Sequence, residues 1–279
     1  MRLRNTTENE TMIFTVLSYN IERGFHTENH VREESRLAAA QQIVQDVNPD
    51  ILALTEACYG GPNSHGIQMD YQDLFGFPYG QFGGYPYFGP RRGDEGGNCL
   101  LSRFPMHAES IRLAYKGAVR GQVQLDDKIL CIDVVHPSYS VDDREKIATL
   151  RPLIRFRQEP YLLTGDFNTI HPDDSYDWDQ VSKRLRDSFD DDTALSLVEN
   201  WRKAELVSWI LAQGLRDPFS PEDRQSTVPT SKEGKGNSGV RLDFFFLSPS
   251  ITAKEAYVLK NPDTEIASDH YPIVGVFEI

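Results

Sequence analysis

The sequence predicts an α/β domain built as a sheet sandwich flanked by helices. Strand-like runs dominate the two ends of the chain, helical patterns fall between strands, and a strand, a helix and a second strand follow one another within about 40 residues. Ile13 to Tyr19 (IFTVLSY) is a β-rich apolar run, followed by a polar loop through about His30. Val31 to Val47 then places Leu37, Ala40, Ile43, Val44 and Val47 on one helical face. Asn48-Pro49-Asp50 stops that helix and launches a short buried strand, ILAL, at 51–54.

From Gly76 to Gly97 the density of Gly and Pro defeats both periodicities, so this stretch reads as a loop. Asn98–Ser102, Val119–Leu125 and Ile129–Val135 read as strands, the last two as a hairpin across Asp126-Asp127-Lys128. Residues 142–157 read as helix, and Tyr161–Thr164 as a buried strand ending at Gly165. His171 to about Asp192 (171–192) is an acidic loop insertion, followed by a helix from Thr193 to Gln213. A second loop insertion spans 217–239, and its SKEGKGNSG run reads as mobile. Arg241–Leu247 and Pro272–Ile279 are the last strands. Without a repeat or a linker, residues 1–279 read as one domain, with 1–11 a flexible N-terminus.

A chain of 279 residues that is 39% hydrophobic can bury a sizeable core. Its net charge of -13 opposes non-specific attraction to a polyanion, because such binding depends on basic residues releasing counterions. The same charge suits divalent cations and favours a small or exposed phosphate ester over long duplex DNA. Cys58, Cys99 and Cys131 lack CxxC spacing and read as reduced core thiols. No run approaches the length of a membrane span, and the polar first eleven residues lack a signal peptide's apolar stretch. The expectation is a cytoplasmic enzyme without membrane insertion or an evident obligate protein partner.

The polar positions carry the chemistry. Asn20, Glu56, His136, Asp166, Asn168, Asp243 and Asp269-His270 each fall at or just past the end of a predicted buried strand, or in the turn beside one. Strand-end loops are where a rigid scaffold gathers functional groups. Carboxylates with an amide oxygen and no cysteine favour Mg²⁺ or Mn²⁺ over zinc. A phosphodiester needs such a cation, a base for water and donors for the transition state. Singly, most of these residues have a plainer reading. Asn20 also fits a loop cap, Glu56 an exposed strand-end charge, Gly165–Asn168 a turn, His136 a satisfied strand-end histidine, and Asp269-His270 a loop pair. Asp243, inside LDFFFL, is harder to explain so, since a lone carboxylate there is costly unless paired.

The segments LSYNI (17–21), NPDILALTE (48–56), GNCLLSRFP (97–105), VVHPS (134–138), LLTGDFNT (162–169), RLDFFFLSP (241–249) and SDHYPIVGVFEI (268–279) occur in an order that closely resembles the endonuclease/exonuclease/phosphatase superfamily, the deoxyribonuclease I-like fold. The resemblance implies a four-layered α/β sandwich, with two mixed β-sheets face to face and helices outside. It also implies a divalent-metal-dependent phosphoesterase. Glu56 would be the principal metal ligand, with Asn20 and Asp269 holding the metal or its waters. His270, paired with Asp243, would act as general base or phosphate clamp. Asp166 would orient or deprotonate water, Asn168 would donate to the phosphate, and His136 would contact the phosphate or assist the leaving group.

The substrate is less legible. Abasic-site endonucleases of the family typically place tyrosine where this chain has His136, which tilts the reading away from DNA repair. A DNA endonuclease or exonuclease stays as the alternative, and a non-catalytic binding module as a remote one. The aromatic stretch 76–92 (Tyr79, Phe82, Tyr85, Tyr87, Phe88), followed by Arg91-Arg92, suits stacking a base or seating a phosphate, or packing its own aromatics. Arg91, Arg92 and Asn98 are the candidate substrate contacts.

Overall fold

A computed structural model of the chain describes residues 11–27, 29, 31–58, 70–86, 95–230 and 239–279. Among these residues, two mixed sheets pack face to face with helices outside, so the expected four-layered sandwich is the observed fold. The six-stranded sheet runs in the order β10 (Thr252–Val258), β11 (Ile273–Glu278), β1 (Ile13–Asn20), β2 (Ile51–Cys58), β4 (Glu95–Ser102), β3 (Tyr79–Pro86). The five-stranded sheet runs β5 (Met106–Arg112), β6 (Gly117–Leu125), β7 (Lys128–Val135), β8 (Tyr161–Asp166), β9 (Asp243–Leu247). The pairs β1–β2 and β7–β8 are parallel and the rest antiparallel.

Side chains alternate across a strand, and this alternation builds the layers. Phe14 and Val16 of β1 join Val134, Leu162 and Phe245 between the sheets. Leu17 and Tyr19 face the other way, onto Leu37, Ala40 and Ile43 of α2 (Glu34–Val47). In β9, Phe245 and Leu247 enter the inter-sheet core. Phe244 and Phe246 pack on Leu150 and Leu153 of α4 (Asp143–Arg155) and Leu206 and Ile210 of α7 (Glu205–Ala212). The run LDFFFL is apolar on both faces because both faces are covered.

Several elements depart from the sequence reading. The described parts of 76–97 are not all loop: β3 and β4 pair antiparallel from Tyr79↔Ser102 to Pro86↔Glu95, and residues 87–94 lie outside the described residues. Its glycines serve close packing, since a Cβ on Gly97 would run into the Gly83 carbonyl and the Phe82 ring. The acidic stretch 171–192 carries a helix, α5 (Trp178–Ser188), capped by Asp177, which accepts from the Asp179 and Gln180 N–H groups. The single helix expected over 193–213 is two. Ala204, with φ of 46°, separates α6 (Asp191–Lys203) from α7. Asp190 caps α6 by accepting from the Thr193 N–H. Within 217–239 the structure has a 3₁₀ turn at Pro221–Asp223 and a bridge between Val228 and Val240. Its 231–238 stretch and residues 1–10 lie outside the described residues. Strands β5 and β10 and the short helices α1 (Glu22–Phe25), α3 (Tyr71–Phe75) and α8 (Thr264–Ala267) were not expected. Cys99 and Cys131 are buried free thiols. Among the described residues no helix is long and apolar enough to cross a membrane.

Candidate active site

Strand direction brings the polar positions together. Parallel β1 and β2 end side by side, with Asn20 opposite Thr55. Antiparallel β11 starts where β1 ends, so the 268–270 turn arrives at the same place. In the other sheet, β7 and β8 end together at Val135↔Gly165, and β9 starts there with Asp243 opposite Asp166. Both sheets therefore present their polar ends at one edge of the sandwich.

Local backbone features aim the side chains. Between Leu54↔Cys99 and Ala57↔Gly97 the ladder shifts register, so Thr55 and Glu56 oppose the single residue Asn98. This bulge, with Glu56 at φ 52°, turns its carboxylate out of the strand's alternation. The Arg23 N–H then donates to Glu56 Oε2 at 3.3 Å. Gly165 has φ of 135°, and a Cβ there would overlap the Val135 carbonyl oxygen, so the residue before Asp166 must be glycine.

Asn168 is held at φ 50° by four hydrogen bonds. Its N–H donates to Asp166 Oδ1 (2.8 Å) and its Nδ2 to the Pro137 carbonyl (3.0 Å). Its own carbonyl accepts from Lys146 Nζ (2.7 Å) and Trp201 Nε1 (3.1 Å). Ser268 Oγ lies 2.7 Å from the Asn20 carbonyl and 3.1 Å from Asp269 Oδ1, tying β1 to the 268–270 turn. Thr227 Oγ1 accepts from the Leu242 N–H at 3.0 Å and the Asp243 N–H at 3.4 Å, setting the start of β9. Lys146, Trp201, Thr227 and Ser268 were not singled out from the sequence. Ser268 lies within SDHYPIVGVFEI, whereas the other three act through folded proximity alone.

Asp166 is the centre of the arrangement. Its Oδ2 accepts from Asn20 Nδ2 at 3.1 Å, lies 3.3 Å from His136 Nε2 and 3.8 Å from His270 Nε2. Burial pushes its carboxyl up. His136, His270 and the Asn168 N–H outweigh that and hold it well below the usual carboxylate range. Glu56 is likewise pushed up by burial and held down by His136, Lys116 and His270. Its Oε1 lies 3.4 Å from Asn20 Nδ2 and 3.9 Å from His136 Nε2.

His270 Nδ1 lies 2.8 Å from Asp243 Oδ2. Burial pulls the imidazole down, but Asp243, Asp269 and Asp166 together raise it well above an ordinary histidine. Asp243 itself is raised by burial, against the pull of His270. Asp166 thus faces two imidazoles, its own carboxyl held low and the His270 ring held high by their opposite charges.

The donor set suits a hard cation. Glu56 and Asp166 offer carboxylate oxygens to one space, and Asn20 turns its Nδ2 toward both while its Oδ1 accepts from the Glu22 N–H at 3.0 Å. Among the described residues no group of three His, Cys, Asp or Glu forms a ready cage. An ion that keeps several waters and takes one or two carboxylates, as Mg²⁺ does, fits such a site. Asp269 is partly exposed beside His270, whose charge it supports. Asn98 departs from its expected role as a substrate contact. It is fully buried, and its Nδ2 donates to the Gly117 (2.9 Å) and Val134 (3.3 Å) carbonyls, bridging the sheets beneath the site. Arg91 and Arg92 lie outside the described residues.

A family model described as Endonuclease/Exonuclease/phosphatase family matches residues 17–270. Comparison with curated proteins found no match. Among solved structures, the endonuclease/exonuclease/phosphatase from Beutenbergia cavernae DSM 12333 is similar with a TM-score of 0.66 and 19% identity, over 96% of this chain and 72% of that one. A family protein from Leptotrichia buccalis C-1013-b gives 0.65 at 16% identity, over 95% and 100%. The human Nocturnin catalytic domain, solved with a bound sulfate anion, gives 0.57 at 16% identity, over 95% and 93%. At these identities the likeness is one of fold.

Proposed function

The chain belongs to the endonuclease/exonuclease/phosphatase family, and from that premise we propose that it hydrolyses a phosphate ester, most simply a phosphodiester, with Mg²⁺ or Mn²⁺ bound. The observation that carries this reading is the convergence of Asn20, His136 and His270 on a single carboxylate, that of Asp166. A carboxylate so placed orients a water for in-line attack or takes its proton. His270, kept charged by Asp243, donates to a phosphate oxygen as negative charge develops there. Asn168 has a second amide proton beyond the one given to Pro137, and this proton can reach a phosphate oxygen. His136 Nε2 faces two carboxylates and so carries its proton, which suits contact with the phosphate or the leaving oxygen. Glu56, Asn20 and Asp269 would hold the cation, which supplies charge neutralisation for the phosphate.

The net charge of -13 and His136 in place of tyrosine support a small or exposed ester over duplex DNA. The test is hydrolysis of a generic aryl phosphodiester with and without EDTA, followed by readdition of Mg²⁺ or Mn²⁺. Asp166→Asn, His270→Ala and Glu56→Ala should each lower turnover by at least ~100-fold. Near wild-type turnover by Asp166→Asn sinks the assignment.

A further inference from the structure

Lys116 belongs to none of the motifs in which the site residues occur, yet the fold carries it to the site. It closes the turn between β5 and β6, where the Leu113 N–H donates to its carbonyl at 2.9 Å. The β6–β7 ladder ends at Ala118↔Val135, and continuing that register sets Gly117 and Lys116 across from His136 and Pro137. Asn98 fixes this placement, since its buried amide holds the carbonyls of Gly117 and Val134 together. Asn98 also opposes the bulge that carries Glu56. One side chain therefore sets the spacing of the strands that bear Glu56, Lys116 and His136. Lys116 and His136 share the wall of a narrow cavity with Ser138 and Lys146.

The amine of Lys116 stands 5.8 Å from the Tyr85 ring centroid and makes no hydrogen bond or ion pair with any described residue. Other sheltered cations differ. Arg36 pairs with Glu22 at 2.9 Å, Arg120 with Asp133 at 2.6 Å, Lys146 with Asp143 at 3.3 Å, and Arg241 with Asp217 at 2.8 Å. A partly buried ammonium loses hydration, and an ion pair normally compensates for that loss. Burial pulls this one down to about 8, and the charges of Glu56 and Asp166 oppose the fall.

We propose that Lys116 is a substrate-binding residue of this site, its ammonium engaging a non-bridging phosphate oxygen on the His136 side. This rests on the phosphoesterase reading above. A compact cation with three donors and no acceptor suits an oxyanion. It adds positive charge to a site where Glu56, Asp166, Asp243 and Asp269 otherwise repel a phosphate.

The test is binding of inorganic phosphate by the Mg²⁺-loaded protein, read by calorimetry for wild type, Lys116→Met and Lys116→Arg, with thermal unfolding as the control for folding. A lost charge-assisted hydrogen bond predicts at least ~10-fold weaker binding and a matching rise in KM for Lys116→Met, with most of the loss restored by arginine. In wild type, the ¹⁵Nζ resonance of Lys116 should move as phosphate is added, a reading that depends on no variant. Unchanged phosphate affinity in Lys116→Met, a static Nζ resonance, or no phosphate binding by wild type overturns the proposal. Lys116-dependent phosphate binding by a protein that cleaves no ester sinks the hydrolase reading alone. Ester cleavage that ignores Lys116→Met in both KM and phosphate affinity sinks this inference alone.

Discussion

Asp243→Asn removes a charge without changing volume, so it isolates what the Asp243–His270 pair contributes. The two side chains meet at 2.8 Å in a buried setting. A hydrogen bond to a charged group is worth about 1.5–3 kcal/mol, roughly twice a neutral one. Asparagine can still accept from His270 Nδ1, so the substitution forfeits about 1.5 kcal/mol, which corresponds to a fall of about one in the imidazole pKa. Asp269 and Asp166 remain and keep part of the elevation. Stability should change little, because burial already pushes the Asp243 carboxyl up and a neutral amide avoids that desolvation. Turnover should fall by about 10²-fold or more, as expected when a positioned acid or base loses its orienting partner. Imidazole ¹⁵N shifts across a pH titration of the EDTA-treated protein report the charge directly. The reasoning is refuted if His270 keeps its wild-type titration in Asp243→Asn, or if the variant loses turnover only in proportion to a lowered Tm.

Gly165→Ala should lower Tm by several degrees, because positive-φ strain of about 1–3 kcal/mol adds to overlap with the Val135 carbonyl; a wild-type melting curve would contradict the close approach. Lys146→Met should cost about 1.5–3 kcal/mol in denaturant unfolding and reduce kcat more than KM, since Lys146 holds the Asn168 carbonyl rather than substrate; a pure KM effect would assign it a different role. In EDTA-treated protein, His270 is raised when folded, so its stabilisation is complete below about pH 6.5 and is lost as pH rises through its raised value. Asp166 is lowered when folded, so its stabilisation is complete above about pH 4 and is lost as pH falls through its lowered value. The stability gap between wild type and His270→Ala should therefore shrink with rising pH; a gap that widens would show the sign to be wrong.

What the sequence disclosed follows from how fully each strand is covered on its two faces. Strands β1 and β8, and β9 although it lies at a sheet edge, are covered on both faces and stand out as apolar runs, and their polar ends stand out with them. The other three edge strands do not. Strand β5 (MHAESIR) and strand β10 (TAKEAYV) have no fully apolar face, while β3 (YGQFGGYP) is rich in the residues that ordinarily mark loops. Edge strands need fewer buried side chains and tolerate Gly and Pro, so periodicity is a poor guide to them. The bulge at Glu56 depends on the partner strand β4, and the bridging role of Asn98 on the facing sheet, so neither is legible in the local sequence. Lys116, Lys146 and Trp201 reach the site through turns and helices remote in sequence, and no local pattern announces them.

The division of the site between two sheets makes it a gauge of how they are docked. Asn20, Glu56 and His270 belong to the six-stranded sheet, while His136, Asp166 and Asp243 belong to the five-stranded one. Each of the contacts Asn20–Asp166, Glu56–His136 and His270–Asp243 crosses the seam between the sheets. Sliding of one sheet over the other by little more than an atomic diameter would part all three while leaving every ladder hydrogen bond intact. A loosened state that keeps its strands but loses firm packing would therefore retain its far-UV signature and be catalytically silent.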